Sequence, residues 1–221
     1  MPRSQCIKTE GGSMVEVAGV SKSYGKKKII SDISFTVSPG EQIALVGRNG
    51  CGKSTLIKIM AGLIKPDSGE VTYFGKKLKT GSKVSRTVGY LPQDNPLIEE
   101  LSVADNMSLW SGKKCRVEDE AVKMFNLTEI LKEPVYKLSG GMKRRLAIAC
   151  ACVHMPPVML MDEPTASLDI YYRAEVRNWM KRYREMNGCI IVVTHDSDEM
   201  SDSDKCFLIE EGSISVYHEE E

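Results

Sequence analysis

The stretch of sequence from residue 47 to residue 54 is Gly47-Arg48-Asn49-Gly50-Cys51-Gly52-Lys53-Ser54. It fits the pattern G-x-x-x-x-G-K-[ST], in which a glycine-rich loop joins a strand to a helix. The apolar run 42–46 precedes the loop, and residues 55–63, which are helical in composition, follow it. This context predicts a strand-loop-helix unit of an α/β domain.

The glycines of this loop allow backbone conformations that direct successive N–H groups toward an anion. The helix that follows adds the positive end of its dipole. We expect Lys53 to contact the β- and γ-phosphates of a nucleotide and the Ser54 hydroxyl to ligate Mg²⁺. The predicted nucleotide-binding residues are Gly47, Arg48, Asn49, Gly50, Cys51, Gly52, Lys53, Ser54 and Thr55. The alternative is an ordinary glycine-rich turn with a solvated lysine.

The composition of the chain argues against two broad classes of protein. Over 221 residues, 30 Lys and Arg balance 30 Asp and Glu, so no net charge draws the chain to nucleic acid. No apolar run approaches the roughly 18 residues that span a bilayer. The 42% hydrophobic and 27% charged fractions are typical of a globular domain. Seven scattered cysteines, without a Cys-x-x-Cys pair, favour small buried thiols in a reducing compartment.

Short apolar runs alternate with segments of helical composition along the chain. The predicted strands cover residues 15–17, 33–37, 42–46, 70–74, 88–91, 158–161 and 190–193. The predicted helices cover residues 55–63, 141–153 and 171–186, and residues 101–131 also carry helical spacing. Strands that alternate with helices predict an α/β core. The residues between Gln93 and Ser139 hold no strong strand, so they are expected to form a helical subdomain.

Two carboxylates follow the apolar run 158–161. At the carboxyl end of a strand, Asp162 is placed to reach Mg²⁺ on a neighbouring phosphate loop. Glu163 is one residue further on, so in a strand it points the other way and faces the water that attacks the γ-phosphate, as a general base. The alternative is a pair of acidic residues that begins a solvated loop.

A third motif points to a family. Residues Leu138-Ser139-Gly140-Gly141-Met142, the signature segment, resemble the signature of the ATP-binding-cassette (ABC) ATPases. The resemblance covers nearly the whole chain, from residue 15 to about residue 212. It implies an α/β fold with a P-loop NTPase core, in which a mixed, mostly parallel sheet has flanking helices. It also implies an antiparallel β subdomain and a helical subdomain.

The resemblance also implies a division of the chain. Residues 1–221 are expected to form a single ABC-type ATPase domain. Within it, residues 14–92 and 155–217 would form the core and the β subdomain. Residues from about 94 to 153 would form the helical subdomain, which carries the signature segment.

Four further positions match the family. Tyr24 resembles the aromatic residue that stacks on adenine, and Gln93 resembles the glutamine that senses Mg²⁺ and the attacking water. The segment Ser167-Leu168-Asp169 resembles the loop that crosses the dimer interface, and His195 resembles the switch histidine at the γ-phosphate. Taken singly, each has an ordinary alternative: a turn tyrosine, a surface glutamine or a hydrogen-bonded structural histidine.

The signature segment also has a physical interpretation. Ser139, Gly140 and Gly141 open a predicted helix, where a hydroxyl, bare N–H groups and a helix dipole form a second anion site. If the family geometry holds, one chain cannot close this site on its own phosphate loop. Two chains would then face head to tail, and each signature segment would cap the γ-phosphate bound by the other.

The resemblance implies an enzyme that hydrolyses ATP with Mg²⁺ and powers a membrane transporter through ATP-driven dimerisation. Its partners would be a separate transmembrane permease and a second ATPase subunit, identical or related, and it would lie in the cytoplasm on the inner face of the cell membrane. Leu97, Ile98 and Leu101 are candidates for the permease contact. A soluble ABC ATPase, for example of the iron–sulfur assembly type, and a non-hydrolysing ATP-binding module are the alternatives. Glu163 and His195 argue against the second.

Two features at the signature segment depart from the common pattern. Met142 replaces the glutamine that is most common at this position. A methionine here resembles the sequences of family subgroups that serve exporters. Lys143, Arg144 and Arg145 place three cations in the first turn of a helix, where they oppose its dipole. We expect a solvated basic face there. The alternative is a nearby bound phosphate that offsets the conflict.

Overall fold

The computed structural model describes residues 12–77, 86–166 and 168–217. Its strands are β1 (Val15–Tyr24), β2 (Lys27–Val37), β3 (Gln42–Val46), β4 (Ser68–Tyr73), β5 (Lys76–Lys77), β6 (Val88–Leu91), β7 (Val158–Asp162), β8 (Cys189–Val193), β9 (Lys205–Glu210) and β10 (Ser213–Val216). Its α-helices are α1 (Lys53–Met60), α2 (Val103–Ser111), α3 (Glu120–Met124), α4 (Gly140–Cys152), α5 (Ile170–Glu185) and α6 (Ser197–Ser201). Short 3-10 helices cover Thr128–Ile130 and Val135–Lys137.

Two sheets organise the chain. The first has the order β10-β9-β3-β8-β7-β6, with parallel pairing throughout except between β10 and β9. The second has the order β2-β1-β4-β5 and is antiparallel. The mostly parallel sheet, the antiparallel sheet and the helices confirm the predicted fold class.

The core lies on both faces of the parallel sheet. Strands β3, β7 and β8 are buried along their whole length, which explains their continuous apolar runs. Alternate side chains enter opposite layers, because successive residues of a strand point to opposite faces. In β7, Met159 packs in a layer with Leu146 of α4 and Trp179 of α5. Leu160 packs in the other layer, with Leu56 of α1 and residues of the antiparallel sheet.

Parallel pairing collects the functional segments at one edge of the sheet. Strand β3 ends where the phosphate loop begins, β6 ends just before Gln93, β7 ends at Asp162, and β8 ends just before Thr194 and His195. These four strands run in the same direction. Their carboxyl ends therefore meet, which is where α/β proteins place ligands.

Several elements differ from the sequence prediction. The helical spacing of residues 101–131 resolves into α2, α3 and a 3-10 turn, because Gly112 ends α2 in a left-handed conformation (φ 65°). Strands β5, β9 and β10 and helix α6 were not predicted. Within residues 12–77, 86–166 and 168–217, no helix combines the length and apolar character needed to cross a membrane.

Candidate nucleotide-binding site

The phosphate loop needs glycine for both conformation and space. Gly47, Gly50 and Gly52 have φ values of 142°, 80° and 118°, a region that side chains rarely enter. A Cβ atom on Gly47 would lie 2.3 Å from the carbonyl oxygen of Ile209. A Cβ atom on Gly52 would lie 2.8 Å from the Cγ2 atom of Ile30. Neighbouring strands therefore leave no room for a side chain at Gly47 or Gly52.

Lys53 is the first residue of α1 and lies folded across the loop. Its Nζ donates to the carbonyl oxygens of Gly47 at 2.5 Å and Arg48 at 3.1 Å. Although charged, the residue is only 6% exposed. An ammonium carries three donors, so one remains for a ligand in the cleft. The alternative of a solvated lysine is wrong, since backbone carbonyls hold this cation over the loop.

Asp162 and Ser54, both predicted as Mg²⁺ ligands, are in contact. Asp162 ends β7, is 2% exposed, and forms a side-chain hydrogen bond with Ser54. Burial raises the pKa of Asp162, and the Ser54 hydroxyl opposes that shift. A buried carboxylate beside a hydroxyl is the hard oxygen donor set that Mg²⁺ prefers. The residues therefore fit the ion that the resemblance implies.

Glu163 lies beyond the end of β7 in a left-handed conformation (φ 49°). Its N–H donates to the carbonyl oxygen of Val193 at 2.8 Å, which fixes the turn against β8. Strand alternation was expected to aim this side chain away from Asp162. The left-handed turn sets its direction instead, because the strand has already ended.

Glu163 lies between Gln93 and His195, which together with Lys53 are the other predicted catalytic residues. Gln93 Nε2 is 3.3 Å from Glu163 Oε2, and His195 Nε2 is 3.6 Å from Glu163 Oε1. A cleft of about 600 Å³, the nucleotide cleft, is lined by Ile29, Asn49, Gly50, Gly52, Lys53, Ser54, Thr55, Gln93, Glu163, Val193 and His195. An adjoining groove is lined in part by Gly47, Arg48 and Cys51.

Other predicted residues lie apart from the nucleotide cleft. Tyr24 ends β1 and is 51% exposed. Ser139 caps α4, where its hydroxyl accepts the N–H of Met142 at 3.3 Å, and Gly140 and Gly141 begin that helix. Among the residues that the structure describes, the cleft lining includes none of these four.

The predicted interface loop leads into α5. Asp169 caps the helix, and its carboxylate accepts the N–H of Tyr172 at 3.0 Å. Leu168 is buried in the core. Ser167 lies outside the described residues.

The expectation of a solvated basic face after the signature segment is wrong. Lys143 forms an ion pair with Glu99 at 2.6 Å. Arg145 is buried and lies over the ring of Tyr172, 4.5 Å from its centroid. Arg144 is also buried and contacts the loops that carry Gln93 and Glu163. The only signal in the sequence was the conflict between three cations and the helix dipole.

A second link was also missed. Glu199 of α6 is buried, and its carboxylate accepts the hydroxyl of Thr165 at 2.8 Å. Burial raises the pKa of Glu199. This contact joins the loop after Glu163 to the segment after His195. No motif in the sequence marked it.

The site has the features of a P-loop ATPase. A glycine-rich loop precedes a helix, an acidic pair follows a neighbouring strand, and a glutamine and a histidine lie at the same edge of the sheet. The family model described as "ABC transporter" matches residues 30–166. The chain belongs to this family. It is an ATP-binding subunit of the ABC transporter type, with ATPase activity.

Two curated relatives illustrate the similarity. The linearmycin resistance ATP-binding protein LnrL of Bacillus subtilis is 33% identical over 210 residues, which cover 91% of this chain and 68% of the relative. The aliphatic sulfonates import ATP-binding protein SsuB of Cupriavidus necator is 34% identical over 218 residues, covering 97% of this chain and 72% of the relative. The chain thus spans about two thirds to three quarters of the length of these relatives.

A solved structure shares the whole fold. The ATP-binding cassette MJ0796, determined as a dimer in a post-hydrolysis state with ADP and Pi, superposes with a TM-score of 0.83 at 26% identity. The match covers 94% of this chain and all of that one.

Proposed function

We propose that two copies of this chain, or this chain and a related one, enclose ATP between the phosphate loop of one subunit and the signature segment of the other. Hydrolysis removes the bridging phosphate and lets the dimer open. The observation that carries this proposal is the convergence of Gln93, Glu163 and His195 in the nucleotide cleft, which Lys53 and Ser54 also line. Ser54 in turn contacts Asp162. The dimeric MJ0796 cassette supports it by likeness.

The binding roles follow from the donors and acceptors in the cleft. The N–H groups of the phosphate loop and the start of α1 bind the phosphates, and Lys53 adds a positive charge. Ser54, Asp162 and the Gln93 side chain would hold Mg²⁺, which would neutralise charge on the phosphate oxygens. Tyr24, exposed at the end of β1, remains the predicted stacking partner for adenine.

Glu163 acts on the attacking water. Its carboxylate takes a proton from water while the water oxygen bonds to the γ-phosphorus and the bond from phosphorus to the ADP oxygen breaks. Gln93 and His195 flank the two carboxylate oxygens and orient the water and the γ-phosphate. The products are ADP and phosphate.

The glycines of the signature segment support the dimer. A Cβ atom on Gly140 would meet nothing within 4 Å, and one on Gly141 would come only within 3.7 Å of Leu168. Neither residue has a positive φ. Packing and conformation within one subunit therefore do not require glycine at these positions. Close approach of a ligand held by another subunit does require it.

The transport partner is a separate permease in the membrane, and this subunit lies against its cytoplasmic side. Ile98, one of three predicted contact residues, is 46% exposed, whereas Leu97 and Leu101 are partly buried. Leu109 of α2 adds another exposed apolar side chain to the same subdomain. The export direction suggested by Met142 stays a prediction, since one relative above is an import protein. The transporter relatives do not favour the non-transport alternative.

The test is Glu163→Gln in steady-state ATPase assays. Hydrolysis should fall by roughly 10²-fold or more, because the general base is lost, while ATP binding persists. The matched control is Glu185→Gln, which alters an exposed carboxylate at the end of α5 and should leave turnover unchanged. Unchanged turnover in Glu163→Gln would exclude Glu163 as the base.

A further inference from the structure

We propose that Arg144 is a positioning residue for ATP hydrolysis, which holds the backbone of the Gln93 loop against the backbone of the Glu163 turn. The proposal rests on the roles proposed above for Gln93 and Glu163. Arg144 itself lies behind these residues, and it is not among the residues that line the nucleotide cleft.

The guanidinium bridges two separate loops. Its five N–H groups reach six oxygens: Nε donates to Pro164 O at 3.0 Å; Nη2 donates to Asp162 O at 2.7 Å and Glu163 O at 2.8 Å; Nη1 donates to Pro92 O at 2.8 Å, Gln93 O at 3.0 Å and Asn95 Oδ1 at 3.2 Å. Three acceptors belong to the loop after β6, and three to the segment at the end of β7. Only a planar, five-donor side chain can serve both groups at once.

The environment of Arg144 is costly for a charge. The residue is 2% exposed, and every acceptor above is a carbonyl oxygen rather than a carboxylate. Burial lowers the pKa of Arg144, and the charges of Asp162 and Glu163 oppose that shift. A buried charge that breaks local preferences in this way tends to mark function.

The position of Glu163 explains what the cation is needed for. A glutamate in a left-handed conformation is strained and persists only where its surroundings hold it. Val193 accepts the N–H of Glu163, and Arg144 donates to the carbonyl oxygen of Glu163 and to that of the preceding residue. The peptide groups on both sides of the strained residue are thereby tied. The same guanidinium ties the carbonyl of Gln93, so the two side chains are set relative to each other.

The neighbouring cations make different contacts. Lys143 pairs with Glu99, and Arg145 donates to the carbonyl oxygen of Asn126. Of the three cations after the signature segment, Arg144 is the one that reaches the site. A bound phosphate is therefore not needed to explain its burial, since carbonyl dipoles already surround it.

The experiment compares Arg144→Gln and Arg144→Lys with Arg184→Gln as a matched control. Arg184 also bridges backbone carbonyls, those of Gly40 and Asp202, and it contacts Asp204, far from the nucleotide cleft. We would measure kcat, KM, the Kd of ATP and the melting temperature. Arg144→Gln should lower kcat by about 10²-fold, because a misplaced catalytic pair is costly, with KM and Kd changed less than about threefold.

The other two variants fix the interpretation. Arg144→Lys keeps the positive charge but loses the planar, five-donor guanidinium. Its kcat should therefore lie between those of Arg144→Gln and the native protein. It also carries the test if Arg144→Gln does not fold. Arg184→Gln should lower the melting temperature and leave kcat unchanged. Native kcat in either Arg144 variant, or equal losses in kcat and ATP affinity, would overturn the proposal.

A double variant separates positioning from a general loss of structure. If Arg144 acts through Glu163, adding Arg144→Gln to Glu163→Gln should lower the residual rate by less than about twofold. If Arg144→Gln lowered the residual rate of Glu163→Gln by the same factor of about 10² as it lowers the native rate, the proposal would be overturned. Failure of the proposed function would be seen separately, as native hydrolysis in Glu163→Gln alone.

Discussion

The side-chain amide of Gln93 lies 3.3 Å from the carboxylate of Glu163, although 70 residues separate them in the sequence. Strands β6 and β7 are parallel neighbours, so the residues that follow them meet at one edge of the sheet. Helices α2, α3 and α4 lie in the chain between these two strands.

The first prediction concerns the crowding around the phosphate loop. Gly52→Ala should lower the free energy of unfolding by about 1–3 kcal/mol and abolish ATP binding, because its Cβ would strike Ile30 in a strained conformation. Gly75→Ala is the matched control, since Gly75 also has a positive φ but open space around its Cβ. Gly75→Ala should lower the free energy of unfolding by less than Gly52→Ala does, and it should leave ATP binding intact. Urea unfolding and nucleotide titration measure both effects, and equal losses would contradict the prediction.

The second prediction concerns the pH dependence of stability. Burial raises the pKa of Glu199 above its ordinary value of 4.5, so the folded protein favours the protonated form. Stability should therefore fall as the pH rises from about 4.5 through the raised pKa. Glu199→Gln should remove this fall while its amide oxygen still accepts the Thr165 hydroxyl.

Urea unfolding at several pH values measures this effect. Glu199→Gln should gain stability relative to the native protein as the pH rises to neutrality, and the difference should shrink toward pH 4.5. The exposed control Glu185→Gln should show no such trend. A constant difference between Glu199→Gln and the native protein would contradict the assignment.

The third prediction concerns thiol reactivity. Burial raises the pKa of Cys152 and Cys189 to about 12 and also raises the pKa of Cys150. All three should resist iodoacetamide at pH 7.5 until the protein is unfolded, because the thiolate is the reactive form. Cys51, a partly exposed residue of the phosphate loop, should react and be protected by ATP. Peptide mass spectrometry measures each site, and native-state labelling of the three buried thiols would contradict the packing.

The sequence predicted the fold where its signals were local. The strand-loop-helix unit at 42–63 and the acidic pair after β7 follow from short patterns whose spacing decides the geometry. Parallel pairing then brought Gln93 and His195 to the same edge, as the family resemblance implied. The left-handed turn at Glu163 could not be predicted, because a contact with β8 imposes it on a residue that ordinarily avoids it.

Local sequence patterns also could not predict which charged side chains are buried or what they contact. Three consecutive cations, Lys143, Arg144 and Arg145, look alike in sequence but make different contacts. Lys143 pairs with a carboxylate, Arg144 connects two loops, and Arg145 lies over an aromatic ring. Their partners lie on distant segments. Strand β9 and the edge strand β10 were missed because their partly exposed residues give no clear alternation.

The proposed function depends most on ATP lying between the phosphate loop of one subunit and the signature segment of the other. The most direct test is the molar mass of Glu163→Gln by sedimentation equilibrium, with and without Mg-ATP, beside Glu163→Gln combined with Gly140→Asp. The helix dipole stabilises an aspartate at the first position of α4, and a Cβ atom there meets no neighbouring atom within 4 Å in its own subunit. The aspartate would, however, repel the γ-phosphate of ATP bound by a partner subunit.

We predict that ATP converts Glu163→Gln from a 24.5 kDa monomer to a dimer. The version with Gly140→Asp should bind ATP, melt no lower and stay monomeric. A Glu163→Gln chain that remains monomeric when saturated with ATP, or an ATP-dependent dimer that Gly140→Asp leaves intact, would contradict the account.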